Sequence, residues 1–168
     1  MKVIKKQCNS KMCIICGVQN ELGLKAPFYE MEDGSVFSIF KFREEHQSYP
    51  LRVHGGMITA MLDELGLRSL WTIEQNTYGV TMEITTKFRK PVPYNTELKG
   101  VGKVISSTKR FLQSYASILD SNNNILAEAS IKYLKMPTNQ IVSSNFNDDE
   151  HNIFCLLYTS PSPRDSTS

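Results

Sequence analysis

The sequence lacks a long apolar run. Hydrophobic residues make up 40% of the 168 residues, but no stretch approaches the roughly 20 apolar residues that a membrane-spanning helix needs. The basic residues 1–6 are followed by Gln7, Asn9 and Ser10, where a secretory signal would continue with apolar residues. The sequence therefore predicts a cytoplasmic chain with no membrane span.

Charge of one sign is also scarce, because the formal net charge is only +2 at pH 7. This balance does not favour a nucleic-acid partner, since phosphate backbones are bound by clustered basic faces of much higher charge. Two local basic clusters are present, at residues 87–90 and 109–110. Each either meets the phosphate groups of a small ligand or keeps the end of a strand solvated.

Cysteine is limited to four residues. The motif Cys13-Ile14-Ile15-Cys16 supplies half of a four-donor zinc site, and no second such motif follows, although Cys8 offers a third thiolate. A thioredoxin-type redox pair would lie in a βαβ unit, which the neighbouring sequence does not indicate. We interpret the pair as a structural feature and predict no metal site, with metal binding and redox chemistry as the alternatives.

The length fits one domain of ordinary size. We place a cysteine-containing extension at residues 1–19, the folded domain at residues 20–136 and a polar tail at residues 137–168. The tail contains Cys155 and ends in residues 159–168, which read as translated vector or processing sequence. This final stretch is left out of the fold prediction.

The first part of the domain predicts a hairpin. Residues 20–29 are β-like, residues 30–34 form a turn, and residues 35–42 alternate apolar with polar side chains. We expect Asp33-Gly34 to close the hairpin, because such pairs favour tight turns between strands.

Residues 55–71 have helical character. Ile58, Met61, Leu62 and Leu65 recur at helical spacing, and further apolar residues cover more than one face. A helix of this kind is normally buried, so we expect a sheet to wrap around it. Gly66 within it indicates close packing or a local irregularity.

Four strand-like runs follow, at residues 78–88, 97–107, 110–120 and 125–134. They are separated by segments rich in proline, serine or asparagine, which favour turns. The order of two strands, a buried helix and four strands predicts an α+β fold in which an antiparallel sheet curves around one long central helix.

The start of the predicted helix indicates chemistry. Gly55 and Gly56 let a ligand approach the backbone, and the first helical N–H groups have no partner within the helix, so they form a candidate oxyanion hole. Asp63 lies two turns later in an apolar stretch, where it is a candidate general base or nucleophile. The alternative is that Asp63 and Glu64 occupy a solvated face and His54 caps the helix.

His54-Gly55-Gly56 followed by Leu62-Asp63-Glu64 resembles the PaaI-like hotdog-fold acyl-CoA thioesterases. Cys16-Gly17, Asn20 and Gly23-Leu24 resemble the same family, as do residues 88–93 with the sequence Phe-Arg-Lys-Pro-Val-Pro. The resemblance extends over residues 13–136. It implies a hotdog fold and a homodimer, which in this family often pairs again into a tetramer, with active sites at the interface between protomers.

The resemblance also assigns roles to residues. Gly55 matches the backbone donor to the thioester carbonyl, Asp63 the helix carboxylate, and His54 a residue that positions the thioester. Thr81 falls where related enzymes carry a hydroxyl group from the opposite protomer that orients water. The candidate substrate contacts are Gln47, Ser48, Gly56 and Glu64. Arg89, Lys90 and Lys109 are candidates for the phosphates of coenzyme A, inferred from their charge near the expected substrate channel and not from a motif match.

The function that the resemblance implies is hydrolysis of acyl-CoA or acyl-carrier thioesters. No separate cofactor is expected, because coenzyme A is part of the substrate. Two alternatives stay open at this point, a hotdog dehydratase or hydratase and a non-catalytic acyl-CoA binding or sensor module, since a fold does not determine activity.

Overall fold

The computed structural model describes residues 1–75, 77–137 and 140. One α-helix and nine strands form in this part of the chain, with short 3-10 helices at Glu44–His46 and Ser69–Thr72. The elements are β1 Val3–Lys6, β2 Tyr29–Met31, β3 Val36–Phe40, β4 Gln47–Tyr49, β5 Arg52–Val53, α1 Gly55–Arg68, β6 Tyr78–Phe88, β7 Leu98–Ser107, β8 Phe111–Leu119 and β9 Ile125–Met136.

Seven strands form one sheet in the order β1-β2-β3-β7-β8-β9-β6. All neighbours in this sheet pair in antiparallel fashion, and β4 and β5 form a separate two-stranded ribbon. The α1 helix packs against this sheet, so the predicted α+β hotdog architecture is confirmed. The short β1 and the long β6 are the two edges of the sheet.

The α1 helix is buried on its apolar side, as its sequence predicted. Ile58, Met61, Leu62 and Leu65 all belong to the core. Gly66 allows the close packing that its position indicated, because a Cβ atom there would lie 2.4 Å from the hydroxyl oxygen of Tyr133 on β9. The helix therefore sits directly on the sheet and holds its side chains at fixed positions.

The second strand of the predicted hairpin and the four later strands are confirmed to within two residues at their ends. Gly34 adopts a positive φ of 82° in the turn between β2 and β3, which a glycine accepts without steric cost. The prediction of a strand over residues 20–29 is wrong apart from Tyr29. Its amide groups bond to a neighbouring loop instead, from Leu24 to the Ile14 carbonyl and from Ala26 to that of Ile15.

The first residues pack onto the domain. Strand β1, which the sequence did not indicate, pairs with β2, and Ile15 and Cys16 belong to the hydrophobic core. The predicted polar tail at residues 137–168, with Cys155 and the vector-like end, lies outside the described residues except for residues 137 and 140. Within the described part, the helix lacks the length and apolar character needed to cross a membrane.

Candidate active site

His54 caps the start of α1. Its Nδ1 atom accepts a hydrogen bond of 2.8 Å from the Gly56 amide, so the Gly56 N–H is not available to a ligand in this arrangement. The Gly55 N–H has no hydrogen-bond acceptor among the described residues. The predicted oxyanion hole therefore reduces to the Gly55 amide, which lies at the positive end of the helix dipole.

A cleft of about 390 Å³ opens beside Gly55. Three segments line it: the ribbon β4–β5, the first turn of α1, and the end of β6 with the loop that follows. The residues are Ser48, Tyr49, Arg52, Val53, Gly55, Ile58, Phe88, Arg89, Lys90, Pro91 and Val92. The cleft thus brings together four of the predicted site residues, Ser48, Gly55, Arg89 and Lys90.

Asp63 forms a second centre, further along the helix. The Thr81 hydroxyl on β6 donates to both of its carboxylate oxygens, at 2.8 and 3.0 Å, and Tyr133 donates to its backbone carbonyl at 2.7 Å. Burial raises the pKa of Asp63 above its ordinary value; hydrogen bonds from Thr81 and Tyr133 oppose this effect, and the Glu64 carboxylate adds to it. A carboxylate with a raised pKa is a better proton acceptor.

The two centres of one chain are far apart. Asp63 follows Gly55 by eight residues on the same helix, which places it about 12 Å further along the axis at roughly 1.5 Å per residue. A carbonyl group that accepts a hydrogen bond from Gly55 is therefore out of reach of Asp63 in the same chain. The resemblance implied that Thr81 acts across a protomer interface, whereas its contact with Asp63 lies within one chain.

Two predicted substrate contacts lie elsewhere. Lys109 is exposed in the turn between β7 and β8, next to Phe111, which pairs with Leu134. Phe88, at the cleft, pairs with Ala127 at the other end of β9, so the length of the sheet separates Lys109 from the cleft. Glu64 is also turned away from the cleft, because its carboxylate forms an ion pair of 2.8 Å with Arg68.

The remaining candidates flank the cleft without lining it. Gln47 is exposed on β4 and pairs with Val53, and His54 is exposed and bonded to Gly56.

Three residues that the sequence analysis missed belong to the two centres. Arg52 and Phe88 line the cleft, and both stand inside or beside the matched motifs. Tyr133 reaches Asp63 from β9, and no local pattern marks it.

Comparison with known proteins identifies a protein family that matches this chain. The sequence model of the thioesterase superfamily matches residues 52–135, which is half of the chain and includes both centres. A curated protein of Saccharolobus solfataricus, provisionally named an esterase, is 30% identical over 113 residues, covering 66% of this chain and 71% of that protein.

Solved structures show the same fold. A thioesterase superfamily protein superposes with a TM-score of 0.66 at 22% identity, over 73% of this chain and 63% of that one, so the chain spans less than two thirds of it. The Escherichia coli PaaI protein superposes with a TM-score of 0.60 at 16% identity, over 67% of this chain and 80% of that one. A protein of Streptococcus pneumoniae that is named a thioesterase and was solved with coenzyme A superposes with a TM-score of 0.58. The sequence identity is 18%, and the match covers 67% of this chain and 86% of that one.

Proposed function

Because the chain belongs to the thioesterase superfamily, we propose that it hydrolyses the thioester bond of an acyl-coenzyme A and releases the free acid and coenzyme A. The observation that carries this proposal is the Asp63 carboxylate, half-buried on the central helix and held by the Thr81 hydroxyl. The presence of coenzyme A in the Streptococcus pneumoniae relative supports the choice of substrate class.

The reaction divides between the two centres. The Gly55 N–H donates a hydrogen bond to the thioester carbonyl and stabilises the negative charge that develops on its oxygen. Asp63 takes a proton from a water molecule whose oxygen attacks the carbonyl carbon. The carbon–sulfur bond then breaks, and the thiolate of coenzyme A leaves and takes up a proton. Thr81 acts as a positioning residue because it fixes the orientation of the carboxylate.

A second copy of the chain completes the site in this proposal. One chain holds Gly55 and Asp63 about 12 Å apart along the helix axis, whereas both must reach one carbonyl group. Gly55 lies beside Phe88, since a Cβ atom at Gly55 would come 3.3 Å from the Phe88 ring, and Asp63 lies beside Thr81. The Gly55 centre therefore lies at Phe88 on β6, and the Asp63 centre lies at Thr81 on the same strand.

Edge-to-edge pairing of two β6 strands brings these positions together. The extra residue between Thr81 and Glu83 counts as no separate pairing position. In an antiparallel pair whose two-fold axis passes through Thr85, Phe88 of one chain therefore lies opposite Thr81 of the other. That axis lies close to the middle of the strand Tyr78–Phe88. Gly55 of each chain then approaches Asp63 of its partner, so one dimer contains two complete sites.

The register of β6 makes this geometry consistent. Thr81 pairs with Tyr133 and Phe88 with Ala127, and both partners are buried on the helix side of β9. Thr81 and Phe88 share that side although they are seven residues apart, because the pairing shifts by one residue between Thr81 and Glu83. Without the shift, alternation would place the two side chains on opposite faces.

Strand β6 has the surface of an interface strand. It is the long edge of the sheet, and it exposes apolar side chains that pairing would cover, with Met82 58% and Phe88 56% exposed. A long edge strand with unpaired backbone groups and exposed apolar side chains is a template for pairing with another chain.

Basic residues at the cleft suit the phosphates of coenzyme A. Arg52, Arg89 and Lys90 all line it. Arg89 also forms an ion pair of 3.2 Å with Glu128, so part of its charge is already balanced. We therefore assign the phosphate contacts chiefly to Arg52 and Lys90.

Release of free thiol from a panel of acyl-CoA esters tests this function. The wild-type chain is expected to turn over at least one aryl or medium-chain ester, and Asp63→Asn to lower kcat about 1,000-fold while it still binds the ester. Glu97→Gln, at an exposed position that does not line the cleft, is the matched control and should retain wild-type turnover. Tight binding without turnover by the wild-type chain would instead identify an acyl-CoA sensor.

A further inference from the structure

The Cys13–Cys16 motif lies against the central helix at Glu64, on a different face from Asp63. The Sγ atoms of Cys13 and Cys16 and a carboxylate oxygen of Glu64 all lie within 4.8 Å of one another. Sulfur and carboxylate donors in this combination suit Zn²⁺. We propose that Cys13, Cys16 and Glu64 bind one Zn²⁺ ion, which fastens the N-terminal segment to α1. This inference does not depend on the proposed thioesterase activity.

The spacing of the donors fits a tetrahedral ion. With Zn–S bonds of about 2.3 Å and Zn–O bonds of about 2.1 Å, two thiolates lie about 3.8 Å apart, and a thiolate lies about 3.6 Å from a carboxylate oxygen. Cys13 Sγ is 3.9 Å from Glu64 Oε2, so a movement of about 0.3 Å brings these two atoms to the distance expected of two ligands of one zinc ion. The fourth position remains for water on the side where Cys13 and Glu64 are partly exposed.

Both sulfur atoms receive hydrogen bonds of the kind that stabilise metal-bound thiolates. Cys13 Sγ accepts from the amides of Ile15 and Cys16, at 3.3 and 3.5 Å. Cys16 Sγ accepts from the Ser10 amide at 3.5 Å and lies 3.3 Å from the Ser10 hydroxyl. Buried thiols that only fill space do not need such donors, whereas thiolate ligands are tuned by them.

The loop that carries the cysteines is held in one shape. Asn9 Nδ2 donates to the carbonyls of Cys16 and Ala26, at 2.8 and 3.1 Å. The Gly17 amide donates to the Cys13 carbonyl at 2.8 Å, and any side chain at Gly17 would collide with the Cys13 backbone, because its Cβ would lie 2.4 Å from that carbonyl oxygen. The two sulfur atoms are thus presented by a rigid turn.

Arg68 anchors the third donor and balances the charge. Its Nε atom binds Glu64 Oε1 at 2.8 Å, which leaves Oε2 toward Cys13, and its Nη1 atom donates to the Cys8 carbonyl at 2.7 Å. Two thiolates and one carboxylate carry three negative charges, which a divalent ion and the guanidinium together neutralise. A buried cluster of charges is tolerated when it is neutral and hydrogen-bonded.

The geometry favours metal binding over thiol–disulfide exchange. In an exchange site the attacking thiolate is both stabilised and accessible. Here Cys16 is only 2% exposed, so its sulfur atom is not accessible to a second disulfide.

Metal titration of the full chain tests the site. Reduced protein, stripped with a chelator, should bind one Zn²⁺ per chain in competition with a chromophoric chelator, and Co²⁺ should give the near-ultraviolet charge-transfer bands of thiolate coordination. Cys13→Ser and Cys16→Ser should each weaken Zn²⁺ binding by about 100-fold or more, and Glu64→Gln by about 10-fold. Cys8→Ser is the matched control and should keep wild-type affinity.

Three outcomes would overturn the proposal. Wild-type protein that binds neither Zn²⁺ nor Co²⁺, or binding that survives in Cys13→Ser and Cys16→Ser, would show that these thiols are not ligands. Loss of binding in Cys8→Ser as large as in Cys16→Ser would point to a different donor set. Circular dichroism spectra of every variant separate loss of the ion from loss of the fold, and the Co²⁺ spectrum of the wild-type chain requires no variant.

Discussion

The hydroxyl of Thr81 donates to both carboxylate oxygens of Asp63, at 2.8 and 3.0 Å, although 18 residues separate them in the sequence. This contact joins the edge strand β6 to the central helix at the residue that carries the proposed chemistry. It holds the carboxylate in one orientation without neutralising its charge, since a hydroxyl group supplies a hydrogen bond and no positive charge. In the proposed reaction, this contact orients Asp63 to accept a proton.

Removal of the Thr81 hydroxyl should lower kcat and leave KM nearly unchanged. Thr81→Val keeps the shape of the side chain and is expected to reduce kcat about 10- to 100-fold, the value of a hydrogen bond to a charged group. Thr81→Ser restores the hydroxyl and should recover most of the activity. Steady-state kinetics with one acyl-CoA ester measure both parameters, and equal kcat values for the valine and serine variants would rule out this positioning role.

Two substitutions at Gly55 separate its amide from its lack of a side chain. Gly55 is the first helical residue, and His54 before it is extended, with φ −63° and ψ 133°, so the backbone accepts Gly55→Pro. This variant deletes the N–H and adds a Cβ atom, whereas Gly55→Ala adds only the Cβ atom. We expect Gly55→Pro to lower kcat about 100- to 1,000-fold. Gly55→Ala keeps the N–H and crowds Phe88, so its loss should be much smaller. Similar losses in the two variants would mean that crowding alone matters.

Mixed dimers should recover activity if each site draws on two chains. Gly55→Pro and Asp63→Asn are each expected to be nearly inactive alone. When the two are unfolded and refolded together, half of the dimers combine both variants, and one of the two sites in each is intact, so about a quarter of wild-type activity should return. Thiol release by the mixture measures this. Absence of any recovery, with mixed dimers verified by mass spectrometry, would contradict the shared site.

Charge at the cleft should affect binding of coenzyme A esters more than turnover. Lys90→Ala and Arg52→Ala are each expected to raise KM about 5- to 10-fold, with a smaller change in kcat and a weaker dependence on salt. Lys109→Ala is the matched control, because Lys109 is equally exposed but lies at the other end of the sheet. An effect of Lys109→Ala as large as that of Lys90→Ala would place the phosphates elsewhere.

Close packing between helix and sheet should make Gly102 sensitive to substitution. A Cβ atom there would lie 2.2 Å from the Leu65 carbonyl oxygen, a backbone atom that cannot rotate away. Gly102→Ala is therefore expected to lower the free energy of unfolding by about 2 kcal/mol or more. Chemical denaturation measures the change, with Ser106→Ala at an exposed position of the same strand as control. A wild-type midpoint for Gly102→Ala would refute the close contact.

The sequence predicted those elements whose signal is local. Residues 78–88 form a strand with the predicted ends, because its turns and composition are visible in a short window. Residues 20–29 misled the prediction, since their amides bond to the loop at Ile14 and Ile15 and not to a strand. That pairing depends on the folded loop, which local alternation does not encode.

The site shows the same limit. Motif matching led to Gly55 and Asp63 but also grouped Glu64 with them, although consecutive helical residues point about 100° apart, and Glu64 meets Arg68 instead. Lys109 was grouped with Lys90 by charge alone, and the meander of strands carries it to the other end of the sheet. Tyr133 joins Asp63 only because β9 crosses the helix there.

The two edges of the sheet differ in a way that limits the size of the assembly. Strand β1 is four residues long, carries lysines and pairs irregularly with β2, which discourages addition of another strand. Pairing of β6 with β6 of a second chain uses the same surface on both and leaves only β1 edges at the two ends. In the proposed dimer, growth of the sheet would therefore stop at two chains, and the edge that completes the proposed site would also block the formation of open-ended fibres.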